Sequence, residues 1–285
     1  MNFFSLNDFF RRTLTGAWIV IIILGGFWLH PVSFVLVGLA VLAGSQYEYY
    51  MMIKSTGVRP QMVTGLAAGA AAFVMSTLAA SGIMPMKFLL LTTTLIFIIM
   101  ASGLFRRDEK PFDSLAHTLL PLLYIVLPFS LFPFSAFGHT GLNTLLPHGM
   151  EPFSPGIVVG FFILLWTNDT GAYITGISLG RHRLMERISP KKSWEGFFGG
   201  LILTVAAAWL LSGWLGVVDR KGWIIISIII TVAGTLGDLI ESMLKRSIGV
   251  KDTGNIMPGH GGFLDRFDSA LVSFPLVFLF IALFG

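Results

Sequence analysis

A polytopic bundle of transmembrane α-helices is the fold class this sequence predicts, on three observations. Of 285 residues, 54% are apolar and only 12% are charged, against about 25% charged in a soluble domain. Mean hydropathy is +0.80. Apolar runs of spanning length also recur, since a helix needs roughly 20 such residues to cross about 30 Å of hydrocarbon. They lie near 14–29, 32–50, 62–82, 87–105, 114–137, 156–179, 196–217, 222–240 and 270–284, about nine spans. Helices follow because a helix satisfies its own backbone in lipid. The two-residue alternation of a membrane barrel is absent.

The first run follows Arg11 and Arg12, as in a secretory signal, but no small-x-small cleavage site follows, so an uncleaved span is expected. Phe3, Phe4, Leu6, Phe9 and Phe10 ahead of it fit either a short interfacial helix or a frayed tail. With the N-terminus cytoplasmic and loops alternating, all 19 Lys+Arg except Lys87, Arg220 and Lys221 fall on the cytoplasmic side, the bias of the positive-inside rule. The segment 139–155 reads as an exoplasmic connector. Formal charge is +4 and pI about 9.5, yet the basic residues form no nucleic-acid patch, so no nucleic-acid partner is expected. The absence of cysteine excludes a thiol nucleophile, a disulfide scaffold and a thiolate zinc site.

Ionisable residues are sparse in the first five spans and concentrate after Trp166. A charge at membrane depth costs at least about 2.5–3.5 kcal/mol, so it usually faces a cavity, a partner or an ion. The chain therefore divides into a scaffold of about five helices, residues 1–150, and a chemical region, residues 151–285. In the sixth span Asp169 and Tyr173 share a helix face with Gly176 and Gly180, either as a packing seam or as the wall of a hydrated cavity. Arg181, Arg183 and Arg187 are ordinary loop charges. Lys191, Lys192 and Ser193 sit where the seventh helix begins, and a helix start suits a phosphate; Glu195 there reads as a cap or as a complement to the helix dipole. The glycine spacing of a P-loop is missing.

Asp238, Glu241, Ser242 and Lys245 recur at i, i+3, i+4 and i+7, one stripe of the eighth helix, best explained by a polar cleft at the membrane surface. Lys251 and Asp252 follow. Gly259, Gly261 and Gly262 then let backbone approach a ligand closely before the ninth helix. Asp265 and Asp268 share a face of its first turn. Carboxylates hold Mg²⁺, and cations such as Lys245, Arg246, Lys251 and Arg266 hold the phosphates that Mg²⁺ bridges. His260 fits a base, a phosphate donor or a loop hydrogen-bonder, donor being favoured.

Together these residues resemble the phosphatidate cytidylyltransferase (CDP-diacylglycerol synthase) family. Its C-terminal signature corresponds here to Ser242, Lys245, Arg246, Lys251, Asp252, His260, Gly261, Gly262, Asp265, Arg266 and Asp268, without mismatch. Its upstream elements correspond to 169–173 and 189–196. The resemblance covers roughly residues 166–268. It implies transfer of a cytidylyl group from CTP to phosphatidic acid, giving CDP-diacylglycerol and pyrophosphate. It also implies Asp238 and Asp265 as metal ligands, Mg²⁺ as the usual ion with a monovalent cation such as K⁺ possible beside it, and a homodimer. The expected catalytic set is Asp238, Lys245, Asp265, Arg266 and Asp268. The expected phosphate-binding set is Lys191, Lys192, Ser193, Arg246, Lys251, His260, Gly261 and Gly262. Asp268 and Asp169 are expected in the second shell or on another cation. The acyl tails would stay in the bilayer, placing the site at the cytoplasmic face of a prokaryote-like inner membrane. Two rivals use the same residues differently: a CTP-dependent polyprenol or phytol kinase, which would release CDP, and a transporter coupled through Asp169 and Asp238.

Overall fold

In a computed structural model the described residues are 6–137, 153–250, 253–254 and 261–284. The chain is a helical bundle: α1 (Leu6–Leu29), α2 (Pro31–Lys54), α3 (Met62–Ala80), α4 (Met86–Gly103), α5 (Pro111–Ala136), α6 (Gly156–Leu179), α7 (Trp194–Leu215), α8 (Arg220–Ser247) and α9 (Leu264–Phe284). Eight of these, α2 to α9, are long and apolar enough to cross a membrane. In α1 the qualifying apolar stretch is the shorter Trp18–Leu29. Residues 1–5 and most of the connector 139–155 lie outside the described residues.

Local chemistry accounts for the helix limits. Pro31 opens α2 at a position where its missing N–H is no loss. Asp219 caps α8 by accepting from Gly222 N at 2.7 Å. Gly216, at φ 60°, ends α7 in the left-handed region. In α5, Pro121, Pro128 and Pro133 break the regular ladder, and a π-type turn spans Leu122–Val126.

Lipid tails are as apolar as leucine, so helices associate through close packing rather than water exclusion. Accordingly α6 and α7, the most extensive pair, meet on small residues. A Cβ on Gly171 would lie 3.1 Å from the Gly200 Cα, and one on Gly196 would lie 2.9 Å from the Ala172 carbonyl oxygen. A seam of small residues therefore joins α6 to α7 at Gly171 and Ala172, beside the Asp169–Tyr173 face. At the bundle centre an aromatic cluster ties both halves together. Phe27 of α1 stacks on Phe162 of α6 with centroids 5.6 Å apart, and Phe132 of α5 meets Phe274 of α9 edge-on at 4.1 Å. By contrast, α4 buries only Ile99 and lies at the periphery.

The sequence pattern did not anticipate a strand. A short antiparallel hairpin joins α6 to α7, with β1 (Arg183–Met185) paired to β2 (Ser189–Ser193). Lys191 and Lys192 therefore stand on an extended strand that leads into α7, not on its first turn. The strand is held at its end because Trp194 N donates to the His182 carbonyl at 2.9 Å.

Candidate active site

At one end of α6, α8 and α9 the hairpin closes over a cavity of about 280 Å³. Asp169 and Tyr173 of α6, Lys191, Lys192 and Ser193 of β2, Asp238 of α8 and Ser269 of α9 line it. Asp169 thus faces a cavity while neighbouring residues of the same helix form the glycine seam. Both readings of this span hold, on adjacent faces.

Each lining residue is held by identifiable contacts. Ser193 is the N-cap of α7: its buried Oγ accepts from Gly196 N at 3.1 Å. This fixes the β2–α7 junction and leaves the hydroxyl proton free to be donated to a ligand. Glu195 does more than complement the helix dipole. It accepts from Arg181 N at 3.1 Å and from His182 N at 3.2 Å, and it contacts His182 Nδ1 at 2.6 Å, clamping the start of the hairpin. The hairpin so fixed delivers Lys192, whose Nζ lies 2.6 Å from Asp238 Oδ2. Ser242 Oγ donates to the other oxygen of Asp238 at 3.2 Å.

The stripe on α8 faces α9, and a glycine allows the approach. A Cβ on Gly237 would lie 2.6 Å from the Asp268 carbonyl oxygen and 3.0 Å from the Ser269 Cα. Carboxylate oxygens of Asp238, Glu241 and Asp268 consequently lie within 4.8 Å of one another. Glu241 is 0% exposed, and its Oε1 has no hydrogen-bond partner among the described residues. Asp268 is buried and accepts from Ser269 N at 2.5 Å.

Beside this trio lies a group centred on Lys245. Its Nζ sits 2.5 Å from Glu241 Oε2 and 2.7 Å from Asp265 Oδ1. The second oxygen of Asp265 accepts from Gly262 N at 3.0 Å, Thr253 N at 3.2 Å and Thr253 Oγ1 at 2.9 Å. Asp238 and Asp265 were expected to face one ion. Asp238 gathers with Glu241 and Asp268, and Asp265 adjoins this trio through Lys245. An unshielded carboxylate trio is expensive to bury, and an ammonium is drawn to each flank of it.

Other expected residues are placed as follows. Arg246 points to the exposed side of α8, and Arg266 is exposed on α9. Gly261 adopts φ 82°, which only glycine takes readily, and the Gly262 amide is one of the donors to Asp265. Lys251, Asp252 and His260 lie outside the described residues.

Glu48 was not anticipated. It belongs to α2, is 2% exposed, and its Oε2 accepts from Leu264 N at 2.9 Å and from Thr253 Oγ1 at 3.3 Å. A signal existed: Glu48 is an acidic residue inside a run otherwise read as scaffold, in Gln46-Tyr47-Glu48-Tyr49-Tyr50. Glu241 had been placed on the right stripe without a role, and its total burial makes it a member of the site.

Known proteins resemble this chain over much of its length. The Cytidylyltransferase family matches residues 10–284. A phosphatidate cytidylyltransferase of Bacillus subtilis is 37% identical over 210 residues, 72% of this chain and 71% of that one. One of Staphylococcus epidermidis is 34% identical over 185 residues, 64% of each chain, and one of Brucella suis is 37% identical over 148 residues, 52% of this chain and 55% of that one. The match thus spans less than two thirds of the Staphylococcus and Brucella proteins. With the family match running nearly end to end, through the scaffold helices as well as the carboxylate cleft, this chain belongs to the cytidylyltransferase family.

Proposed function

We propose that this integral membrane protein transfers a cytidylyl group from CTP to phosphatidic acid, producing CDP-diacylglycerol and pyrophosphate for phospholipid synthesis. A phosphate oxygen of phosphatidic acid forms a bond to the α-phosphorus of CTP, and the bond from that phosphorus to the bridging oxygen of pyrophosphate breaks. Nucleophile and leaving group are both phosphate oxygens, so no protein nucleophile is needed. The task is to bring two polyanions together and neutralise charge on the α-phosphate. The observation that carries this reading is the juxtaposition of buried carboxylates with lysines in one cleft of a membrane-embedded bundle.

The donor set fits a hard divalent ion. Six carboxylates (Glu48, Asp169, Asp238, Glu241, Asp265 and Asp268) line or adjoin the cleft, and Lys192 and Lys245 are the lysines paired with members of this group among the described residues. Glu241 Oε1 is buried without a partner among the described residues. All-oxygen donors of this kind suit Mg²⁺. Asp238, Glu241 and Asp268 would hold it. Asp265, which the resemblance assigns as a ligand, is bound by Lys245 in this structure; a K⁺ ion, also implied by the resemblance, would draw on the same carboxylates. When bound, Mg²⁺ supplies charge neutralisation at phosphate oxygens and orients them for in-line displacement.

The chain's own residues do the rest. Lys192 and Lys245 each sit on a carboxylate and within reach of the cleft, so an arriving phosphate competes for their ammonium groups. Lys191 adds charge at the rim. Arg246 and Arg266, on the exposed sides of α8 and α9, are suited to the triphosphate and the lipid phosphate. Asp169, on the cavity wall with Lys192, would serve in the second shell or on another cation. Acyl tails remain in the bilayer, and the apolar exteriors of the helices fit that placement. The bias of the basic loops supports a cleft at the cytoplasmic face of a bacterial inner membrane, and a homodimer completes the proposal.

Purified protein incubated with Mg²⁺, CTP and phosphatidic acid should release liponucleotide and pyrophosphate in equal amounts. Release of CDP instead would point to a lipid-alcohol kinase, and solute flux without CTP to a transporter. Asp238→Asn and Asp265→Asn should each abolish Mg²⁺-dependent turnover in protein that still inserts. Near-normal activity in either would remove that residue from the mechanism.

A further inference from the structure

Resting on the cation site proposed above, we infer that Glu48 is a positioning residue: it holds the glycine turn carrying Asp265 and adds its own charge to the field that attracts the divalent ion. Glu48 stands 216 residues before Leu264, yet it accepts that residue's backbone N–H at 2.9 Å, in the first turn of α9. A carboxylate there caps the helix from another element and matches its positive end. The turn is shaped around this contact. A side chain at Gly262 would run into Glu48 Oε2 and Thr253 Oγ1, and a Cβ on Gly254 would lie 2.9 Å from Glu48 Oε1.

Bracing alone does not require a charge. Thr253 Oγ1 lies 2.9 Å from Asp265 Oδ2 and 3.3 Å from Glu48 Oε2. A hydroxyl has one proton, so it serves one carboxylate at a time. Glu48 Oε1 has no hydrogen-bond partner among the described residues, and Lys245 is committed to Glu241 and Asp265. A glutamine would accept from Leu264 equally well and avoid burying an anion, which costs several kcal/mol when no cation compensates it. The carboxylate is therefore explained by a cation that occupies the adjoining site during function. Glu48 acts on that cation through Thr253, Gly262 and the first turn of α9, which carries Asp265 and the proposed ligand Asp268, without being placed among its ligands.

The test measures Mn²⁺ binding to the purified full-length protein in detergent by electron paramagnetic resonance, with no substrate present. Asp268, a proposed ligand, lies one turn after Leu264 on α9, and losing a partner that orients a metal ligand typically weakens binding by about 10–100-fold. Glu48→Gln, which preserves shape and the acceptor to Leu264, should weaken Mn²⁺ by about 10-fold, at the low end of that range. Thr253→Val, which leaves Glu48 in place but removes the bridging hydroxyl, should weaken it less. Hydrogen exchange at the amides of residues 262–265 should quicken in both. Wild-type protein that binds Mn²⁺, with both variants matching it, would overturn this inference alone. Wild-type protein that binds none would overturn the cation site itself, and this inference with it.

Discussion

Removing the Lys245 ammonium is the most direct test of the charge balance in the cleft. Glu241 is 0% exposed, Lys245 is 12% exposed and Asp265 is 13% exposed, so all three are largely withdrawn from solvent. Lys245→Met keeps the aliphatic stem and deletes the charge, leaving Glu241 and Asp265 facing each other. Breaking a buried pair by removing one partner costs about 3–5 kcal/mol, because the remaining charge is uncompensated. At about 2–4 °C per kcal/mol for a chain of this size, the melting temperature should fall by roughly 6–20 °C. The assay is thermal unfolding of the detergent-solubilised protein in chelator. Adding Glu241→Gln to Lys245→Met removes the stranded carboxylate and should recover most of the loss, a non-additive pair as expected of groups in contact. Mg²⁺ should also protect the single variant more than the double one. If Lys245→Met melts with the wild type, or if Glu241→Gln fails to restore it, the claim that Lys245 neutralises a buried carboxylate is wrong.

Three further outcomes follow from the geometry. Gly237→Ala puts a methyl against the Asp268 and Ser269 backbone, and should cost about 1–3 kcal/mol in unfolding measurements, with weakened Mg²⁺ activation because α8 and α9 must part. Gly213→Ala on α7 is the control: a Cβ there meets nothing within 4 Å, so stability should hold or rise by about 0.5–1 kcal/mol. Glu195→Ala releases Arg181 and His182, and should expose the hairpin to limited proteolysis and raise the KM for CTP more than it lowers kcat.

The residues that carry charge in the second half were legible because charge is rare in lipid. Asp169, Asp238, Lys245, Asp265 and Asp268 stand out of apolar runs, and helical spacing alone puts Asp238, Glu241 and Lys245 on one stripe. Which carboxylates meet was not legible. Asp238 and Asp265 look equivalent along the chain, yet Asp238 gathers with Glu241 and Asp268 while Asp265 is taken up by Lys245. That choice depends on the approach of α8 to α9 at Gly237, a packing event between distant segments. The hairpin was hidden for a related reason. Its strands are too short to show a two-residue period, and they exist because Glu195 and Ser193 pin their ends.

Hydrophobic content, span positions and the bias of basic loops follow from composition and local order, because the cost of exposing backbone or charge to hydrocarbon is paid residue by residue. The sequence alone therefore determined that this chain is a helical membrane protein with a polar C-terminal region. Contacts across the bundle belong to the tertiary structure, because they depend on how closely helices approach and on which groups are left to compensate one another. Glu48 shows the difference most clearly. In sequence it is an isolated acid in a scaffold span, and only folding brings it to the amide that opens α9.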